Sequence, residues 1–401
     1  MKLRIALLTV SLAALALAAP ADAQSDFKES YVSDIQAFCD QADEVYPFFE
    51  LKGIEKQWGT AKSRLLKSAK KCKTDADFMQ LIFDGIGQLR DAHSYVTESA
   101  IELPKREPSY YSGLSLMQAT DGRVVVMFPP QGQGASLKAG TVVLKIDGKD
   151  AAKFLEKRTQ ETWAKGGSFS SPQRARIFEY LYALSGEKGD KHTLECLAGK
   201  KRKKVKLTIR TEKGSWAHNY NWPEDLVKAG KSFYYKQLES GVGYMYLRRI
   251  DSSIPTGMAE ALKECPDAGG WIIDLRGNTG GGYGDDLRKQ IEATPGPVAL
   301  IIDAGCISAG ETVARDFKQR KQARIFGSTS AGSSSSKRTW ELPSGAATIR
   351  FSVRGYSGLD GHIIEYRGIV PDEEVLALPE DVAAGENTQV LRAEAYLLKG
   401  K

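Results

Sequence analysis

The strongest constraint on the fold is a regular alternation of short apolar runs and helical patterns after residue 241. The apolar runs occupy residues 242–247, 271–275, 298–302 and 323–326. Helical spacing occupies residues 257–265, 285–293 and 309–320. Strands buried on both faces and separated by helices are typical of parallel sheets. The alternation therefore predicts an α/β core with a mixed, largely parallel sheet, and later strands are expected at 340–353 and 361–370.

The length of 401 residues predicts two or three domains. Residues 24–100 carry helical spacing with a capped turn at 71–77 and predict an N-terminal helical domain. Residues 101–212 change to short strand patterns with a helical stretch at 150–183. Residues 213–401 then form the α/β core, which contains the one low-complexity tract, the four serines at 333–336.

The N-terminus resembles an export signal. Lys2 and Arg4 form a positive start, residues 5–19 are apolar, and Ala21-Asp22-Ala23 is a small-x-small cleavage site. We expect residues 1–23 to be removed near Gln24, which predicts a periplasmic or secreted protein; an uncleaved membrane anchor is the alternative. Disulfides persist in such compartments, so Cys39 and Cys72 are candidates for a bridge between two helices.

Composition excludes several classes of protein. Hydrophobic residues make up 42% of the chain, but no other apolar run is long enough for stable membrane insertion. A net charge of +6 is too small to predict a nucleic-acid partner. Five cysteines without a C-x-x-C pair and only four histidines predict no metal and no cofactor. The oligomeric state is left open by the sequence.

A run of six basic residues in seven lies at 200–206. Lysines discourage pairing at exposed sheet edges, so the run predicts a solvated hairpin tip leading into an edge strand. A docking patch for an acidic partner is the alternative interpretation.

Two loops follow buried strands at the position where α/β sheets build their sites. The first, 274–282, is rich in glycine, which lets backbone N–H groups approach a bound group closely. It lacks the Gly-Lys-Ser/Thr ending of a phosphate-binding loop, which leaves an oxyanion site or a plain tight turn. The second, 304–311, places Ser308 where a helix begins. The free N–H groups there favour a developing oxyanion, although Ser-x-x-Glu is also an ordinary capping box.

A serine nucleophile needs a base, and His93 is the first candidate because no apolar periodicity makes it a core residue. Glu365 is a carboxylate within an apolar segment, for which a salt bridge or a solvent-facing position is the alternative. His362 is the rival base because it lies on the same segment as Glu365. His192 and His218 are interpreted as structural residues, and Cys306 as a packed small hydrophobe.

Four segments together resemble one group of serine peptidases, which includes the C-terminal processing (tail-specific) proteases, the tricorn protease core and the interphotoreceptor retinoid-binding repeats. The segments are LRDAHSYV at 89–96, GWIIDLRGNTGGG at 270–282, CISAGETVA at 306–314 and IEYRGIVPDEEV at 364–375. The resemblance extends over nearly all of the mature chain, and implies a ClpP/crotonase-like α/β core and polypeptide substrates.

The stretch from YYSGLSL at 110–116 to AGTVVLKIDGKD at 139–150 resembles a PDZ domain. Such a domain adds a peptide as a strand and captures its terminal carboxylate with backbone N–H groups, here expected around Ser112, Gly113 and Leu114. The usual Gly-Leu-Gly-Phe motif is missing, so a module that only gates the active site is the alternative.

The resemblance also implies a mechanism. Tail-specific members use a Ser/Lys dyad with the lysine 25 residues after the nucleophile, where this chain has Ser333; Lys337 is displaced by four residues. The tricorn-like branch uses histidine and glutamate instead. We therefore expect Ser308 as nucleophile, His93 as base and Glu365 as its orienting group, with an oxyanion hole from Ala309 and Gly280 or Gly281. The accessory serine of that branch precedes the histidine, where this chain has Ala92; Ser94 is the nearest substitute.

The predicted function is thus a secreted or periplasmic serine endopeptidase that cleaves unfolded or C-terminally exposed polypeptides. The main alternative is a non-catalytic binding protein on the same fold, since the retinoid-binding repeats carry apolar ligands. A scaffold that recruits a partner through the basic run at 200–206 is a weaker alternative.

Overall fold

The structure is a computed structural model that describes residues 27–103, 108–134, 137–213, 220–282, 284–358 and 361–399. The predicted signal segment 1–23 and His218 lie outside these residues. None of the helices among these residues has the length and the apolar content of a transmembrane span. All five cysteines are free thiols, so the predicted bridge between Cys39 and Cys72 is wrong.

Four helices form the N-terminal region: α1 (Tyr31–Val45), α2 (Phe49–Lys52), α3 (Glu55–Ala69) and α4 (Asp75–Gln88). The start of α4 is fixed by a capping box, as the turn at 71–77 predicts: Thr74 Oγ1 accepts from the N–H of Asp77, whose carboxylate accepts from the N–H of Thr74. Phe38, Leu65 and Phe78 are fully buried between the helices. The same apolar cluster includes Ala347, Ile349 and Phe351, so a late strand closes the core of this region.

That strand belongs to a three-stranded antiparallel sheet of β1 (Tyr95–Ser99), β17 (Ala347–Gly355) and β16 (Ser335–Glu341). The predicted strand 340–353 is thus a hairpin, because residues 342–346 form its turn. Since β1 begins two residues after His93, the sheet places this histidine beside the C-terminal part of the chain.

Residues 110–212 form a β-rich module. Its elements are β2 (Tyr110–Tyr111), β3 (Ser115–Gln118), β4 (Val124–Phe128), β5 (Val142–Ile146), β6 (Lys149–Asp150), α5 (Ala151–Lys165), α6 (Pro172–Leu181), β7 (Lys191–Ala198), β8 (Lys201–Thr208) and β9 (Thr211–Glu212). The helix predicted at 150–183 is broken in two because Gly166 and Gly167 take positive φ angles of 82° and 114° and Pro172 starts α6. The main sheet has the order β3-β4-β5-β7-β8, so the basic run lies on a hairpin and an edge strand, as predicted.

The α/β core contains a seven-stranded sheet of order β10-β11-β12-β13-β14-β15-β18. Its strands are β10 (Val227–Lys228), β11 (Phe233–Gln237), β12 (Gly243–Leu247), β13 (Trp271–Asp274), β14 (Val298–Ile302), β15 (Ala323–Gly327) and β18 (Glu373–Glu374). Its helices are α7 (Ile254–Glu264), α8 (Asp285–Glu292), α9 (Ala309–Gln319), α10 (Pro379–Ala384) and α11 (Thr388–Lys399). Strands β12 to β15 and β18 run parallel, and β10 and β11 are antiparallel, which confirms the predicted α/β fold with a mixed, largely parallel sheet.

The prediction of a strand at 361–370 is wrong. This segment is a turn in which Tyr366 and Gly368 take positive φ angles of 69° and 73°. A Cβ at Gly368 would lie 2.5 Å from the carbonyl oxygen of Ser330, so the turn packs directly on the chain at that point. Glu365 therefore lies in a tight buried turn.

The contact between α7 and β11 predicts a specific stability effect. A Cβ at Gly257 would lie 2.4 Å from Cγ of Phe233, which is fully buried, so Gly257→Ala should lower the free energy of unfolding by about 1–3 kcal/mol. Gly59 in α3 has no atom within 4 Å of the corresponding position, so Gly59→Ala should raise the free energy of unfolding by about 0.5–1 kcal/mol. Urea unfolding of both variants measures the difference; equal stabilities would contradict the described packing.

Candidate active site

Ser308 lies at the junction of β14 and α9 with φ 55° and ψ −118°. An ordinary N-cap serine has an extended backbone, and a non-glycine residue at this φ is strained. Such strain persists only where the surrounding structure holds it, and it is typical of functional turns. The geometry therefore favours a functional role over the simple cap that the sequence also allowed.

Glu311, on the first turn of α9, holds the strained turn in place. Its buried carboxylate accepts from the N–H groups of Ser308 (3.1 Å), Gly332 (2.7 Å) and Ser333 (2.9 Å), and from the hydroxyl of Ser330 (2.6 Å). Burial raises the pKa of Glu311 to about 7, although these hydrogen bonds oppose the rise. The sequence identified this glutamate only as part of a capping box.

The glycine loop touches the serine directly. A Cβ at Gly280 would lie 2.7 Å from Cβ of Ser308, and a Cβ at Gly281 would lie 1.9 Å from the carbonyl oxygen of Ile250. Only glycine fits at both positions. The N–H of Gly280 donates to Oδ1 of Asn278 at 2.9 Å. The N–H of Ala309 belongs to the first turn of α9, where N–H groups lack acceptors within the helix.

His93 lies next to two carboxylates. Asp91, His93 and Glu365 each offer a ligand atom within 4.8 Å of the others. Asp91 accepts from the N–H of His93 and from the hydroxyl of Ser94, both at 2.8 Å, so Ser94 holds Asp91 in place. Burial lowers the pKa of His93 to about 4, against the attraction of Asp91. The imidazole is therefore neutral at pH 7, and its buried Nδ1 has no hydrogen-bond partner among the described residues.

Glu365 is fully buried and lies where the three parts of the chain meet. One carboxylate oxygen accepts from Nζ of Lys52 at 2.8 Å, and the other accepts from the N–H of Ser334 at 2.9 Å. Lys52 also donates to the hydroxyl of Tyr46 and to the carbonyl of Arg90, each at 2.8 Å. Burial raises the pKa of Glu365 to about 7, with Lys52 opposing the rise.

Ser333 and Ser334 connect the serine turn to this carboxylate. Ser308 donates its N–H to the carbonyl of Ser333 at 2.8 Å, and the hydroxyl of Ser334 donates to the carbonyl of Ser308 at 3.3 Å. Since Ser334 also binds Glu365, a short hydrogen-bonded path runs from the serine turn to the histidine side. In the sequence, these serines are part of a low-complexity tract, and Ser333 stands at the position where the tail-specific proteases have their lysine.

The other predicted residues have different surroundings. His362 donates its Nε2–H to the carbonyl of Gly368 at 2.7 Å. Lys337 is exposed on β16, and its charge adds to the lowering of the His93 pKa that burial causes. In the β-rich module, Ser112 is buried; its hydroxyl accepts from the N–H of Leu114 (3.2 Å) and donates to the carbonyl of Ala183 (2.9 Å). Gly113, between them, takes a φ of 80°.

The cluster of Asp91, His93 and Glu365 has the composition of a metal site, but its charges do not favour one. The ammonium group of Lys52 already neutralises Glu365, and Asp91 accepts two hydrogen bonds. A dication there would face a buried positive charge. The arrangement fits an imidazole held between hydrogen-bonded carboxylates better.

A cavity of about 400 Å³ lies between the β-rich module and the α/β core. Strand β3 and helix α6 contribute Leu116, Ile177 and Leu181, and the core contributes Ala304 and Thr329. The cavity thus reaches the segment between β14 and the serine turn.

Comparison with known proteins supports a peptidase relationship. Residues 282–375 match peptidase family S41. A carboxyl-terminal-processing protease of Synechocystis sp. is 27% identical over 162 residues, which are 33% of this chain and 38% of that protein. A second, from Picosynechococcus sp., is 23% identical over 231 residues, 50% of this chain and 56% of that protein. The chain therefore spans about half the length, or less, of these curated relatives.

Among solved structures, mature CPAF superposes on this chain with a TM-score of 0.61 at 14% identity. The superposition covers 93% of this chain and 96% of the CPAF chain. An identity this low shows a shared fold alone. Because the coverage extends far beyond residues 282–375, the helical region and the β-rich module belong to the shared fold as well.

The buried ion pair of Lys52 and Glu365 predicts that removing Lys52 alone lowers the free energy of unfolding far more than removing both partners together. Lys52→Met leaves a buried carboxylate unpaired and should lower the free energy of unfolding by about 3–5 kcal/mol, whereas adding Glu365→Leu should restore much of the loss. Lys62→Met breaks a partly exposed pair with Asp43 and should cost about 1 kcal/mol or less. Chemical unfolding of the three variants and the unmodified protein tests this, and an equal cost for Lys52→Met and Lys62→Met would contradict it.

Proposed function

We propose that this chain, whose residues 282–375 match peptidase family S41, is a serine endopeptidase acting on unfolded or C-terminally exposed polypeptides. The observation that carries the proposal is the strained turn at Ser308, which Glu311 holds in place. Hydrogen bonds through Ser333 and Ser334 connect this turn to Glu365, which lies beside His93. A turn with only a capping role needs neither the strain nor these buried partners.

In the proposed reaction, Ser308 Oγ attacks the carbonyl carbon of the scissile peptide while His93 accepts the hydroxyl proton. The carbonyl oxygen becomes an oxyanion, which the N–H groups of Ala309 and of the Gly280–Gly281 loop stabilise. Gly281 is favoured because the N–H of Gly280 already donates to Asn278.

The C–N bond then breaks, His93 returns the proton to the leaving amine, and an acyl-enzyme remains on Ser308. Water, activated by the same imidazole, hydrolyses this ester and regenerates the serine. Glu365 orients the imidazole and stabilises its charged form. Lys337, which is exposed on β16, is the alternative base.

For substrate binding, we propose that the β-rich module acts like a PDZ domain. Its strand β3 and helix α6 border the 400 Å³ cavity, so an extended peptide could lie between them with apolar side chains against Leu116 and Ile177. The segment Ser112–Leu114 is proposed to support the end of this groove, since its own hydrogen bonds keep it in one conformation. Export through the N-terminal segment 1–23 to the periplasm or the exterior completes the proposal.

A non-catalytic binding protein is the second candidate, and the size of the same cavity favours it. A serine-directed fluorophosphonate probe separates the two functions, because a pure binding protein has no need of an activated serine.

The catalytic assignment predicts that Ser308→Ala abolishes probe labelling and lowers kcat/KM for peptide hydrolysis on the order of 10⁴-fold or more. His93→Ala should have a comparable effect, because the serine loses its base. His362→Ala is the matched control, since this histidine bonds to a backbone carbonyl and should retain labelling and most activity. Unchanged hydrolysis in His93→Ala, or loss only in His362→Ala, would overturn the assignment.

The raised pKa of Glu365 predicts a pH dependence. Above about pH 7 the carboxylate is ionised and stabilises the imidazolium of the transition state; below it the carboxyl is protonated and this stabilisation is lost. The rate should therefore fall as the pH decreases through about 7, whereas His93 stays neutral down to about pH 4.

Glu311 also has a pKa raised to about 7, so a second variant is needed to assign the transition. Glu365→Gln should lower kcat/KM and flatten the profile between pH 6 and 8. A profile that keeps its midpoint in Glu365→Gln would assign the transition to another group and contradict the role of Glu365.

A further inference from the structure

The connection between α5 and α6 reaches from the β-rich module into the candidate active site. Gly167 donates its N–H to the carbonyl of Gly87 at 2.7 Å, and the guanidinium of Arg90 lies over the ring of Trp163 with 4.8 Å to the centroid. These contacts fix the connection against the end of α4. Ser170 and Ser171, which follow, are both fully buried.

The two serines have different partners. Ser171 is the N-cap of α6; its hydroxyl accepts from the N–H of Arg174 at 3.2 Å and donates to the carbonyl of Ala331 at 2.5 Å. These partners are backbone groups, so Ser171 anchors the module. Ser170 instead contacts residues of the candidate active site.

The hydroxyl of Ser170 accepts from the N–H of Ala92, the residue before His93, at 3.2 Å. It donates to Oγ of Ser333 at 3.1 Å. The same hydroxyl lies near the Glu365 carboxylate and opposes the rise of its pKa that burial causes. A hydroxyl carries one proton, and Ser170 therefore faces two acceptors with one donor. An ionised carboxylate attracts that proton more strongly than a neutral hydroxyl does.

We propose that Ser170 is a positioning residue supplied by the β-rich module, which donates a hydrogen bond to ionised Glu365 and holds the backbone in front of His93. The inference rests on the proposed peptidase function. Ser170 acts through Glu365 and the N–H of Ala92, and touches neither the substrate nor the reacting atoms. The site is then complete only when the module is docked on the core.

The charged groups that face Glu365 come from several elements, and Ser170 acts among them. Lys52 on α2 favours the ionised carboxylate, and Asp91 before β1 opposes it. Glu311 on α9 interacts with Glu365 across the serine turn, and His93 lies within 4.8 Å. Removing the Ser170 hydroxyl leaves all four groups in place, so its effect on the ionisation of Glu365 can be measured separately.

The experiment compares Ser170→Ala with Ser171→Ala, its equally buried neighbour. Glutamate labelled with ¹³C at the carboxyl carbon, with the Glu365 signal assigned by its absence in Glu365→Gln, reports the titration midpoint by NMR in the full chain. Losing a hydrogen bond to a buried carboxylate should raise the midpoint in Ser170→Ala by about one pH unit. Ser171→Ala should lower the melting temperature without moving this midpoint.

Peptide hydrolysis supplies the second readout. Ser170→Ala should lower kcat about tenfold at pH 6.5 with KM unchanged, and the loss should shrink by pH 9, where Glu365 is ionised in either protein. A native midpoint in Ser170→Ala, or a loss that is the same at both pH values, would overturn the inference. If the unmodified protein hydrolyses no peptide, the proposed function fails, and the NMR titration still decides the role of Ser170.

Discussion

The architecture depends on one buried carboxylate. Glu365 accepts hydrogen bonds from the ammonium of Lys52 in the helical region and from the N–H of Ser334 in the core, and the hydroxyl of Ser170 in the β-rich module opposes the rise of its pKa that burial causes. A buried charge of this kind is costly unless each partner is in place, because the interior screens it poorly. The stability of the ionised carboxylate therefore depends on three regions that are distant in the chain. The same carboxylate lies beside His93.

The second constraint is the strain at Ser308. A positive φ at a serine costs on the order of 1–3 kcal/mol, which the four hydrogen bonds to Glu311 offset. With the backbone held in this way, little reorganisation remains for the moment at which charge develops on the substrate oxygen. The close approach of Gly280 to Ser308 belongs to the same arrangement, since any larger residue would displace the serine.

The sequence predicts the parts of the site that local patterns describe. Apolar runs identify β12 to β15, and the position after β14 identifies Ser308, because strand burial and helix starts leave local signatures. Glu365 is recognisable from its motif, yet its predicted strand is a turn, since an apolar run does not distinguish the two. Lys52 and Ser170 escape prediction because their partners lie 313 and 163 residues away, and periodicity carries no information over such separations.

In the proposed mechanism, Ser308 and His93 form one reactive site, with the oxyanion facing Ala309 and the glycine loop. The most direct test is a crystal structure of the protein after reaction with a fluorophosphonate. We expect phosphorus bonded to Oγ of Ser308, a phosphoryl oxygen within about 3 Å of the N–H groups of Ala309 and Gly281, and an imidazole nitrogen of His93 within hydrogen-bonding reach of that Oγ. An adduct on another residue, or a His93 side chain pointing away from the adduct, would contradict it.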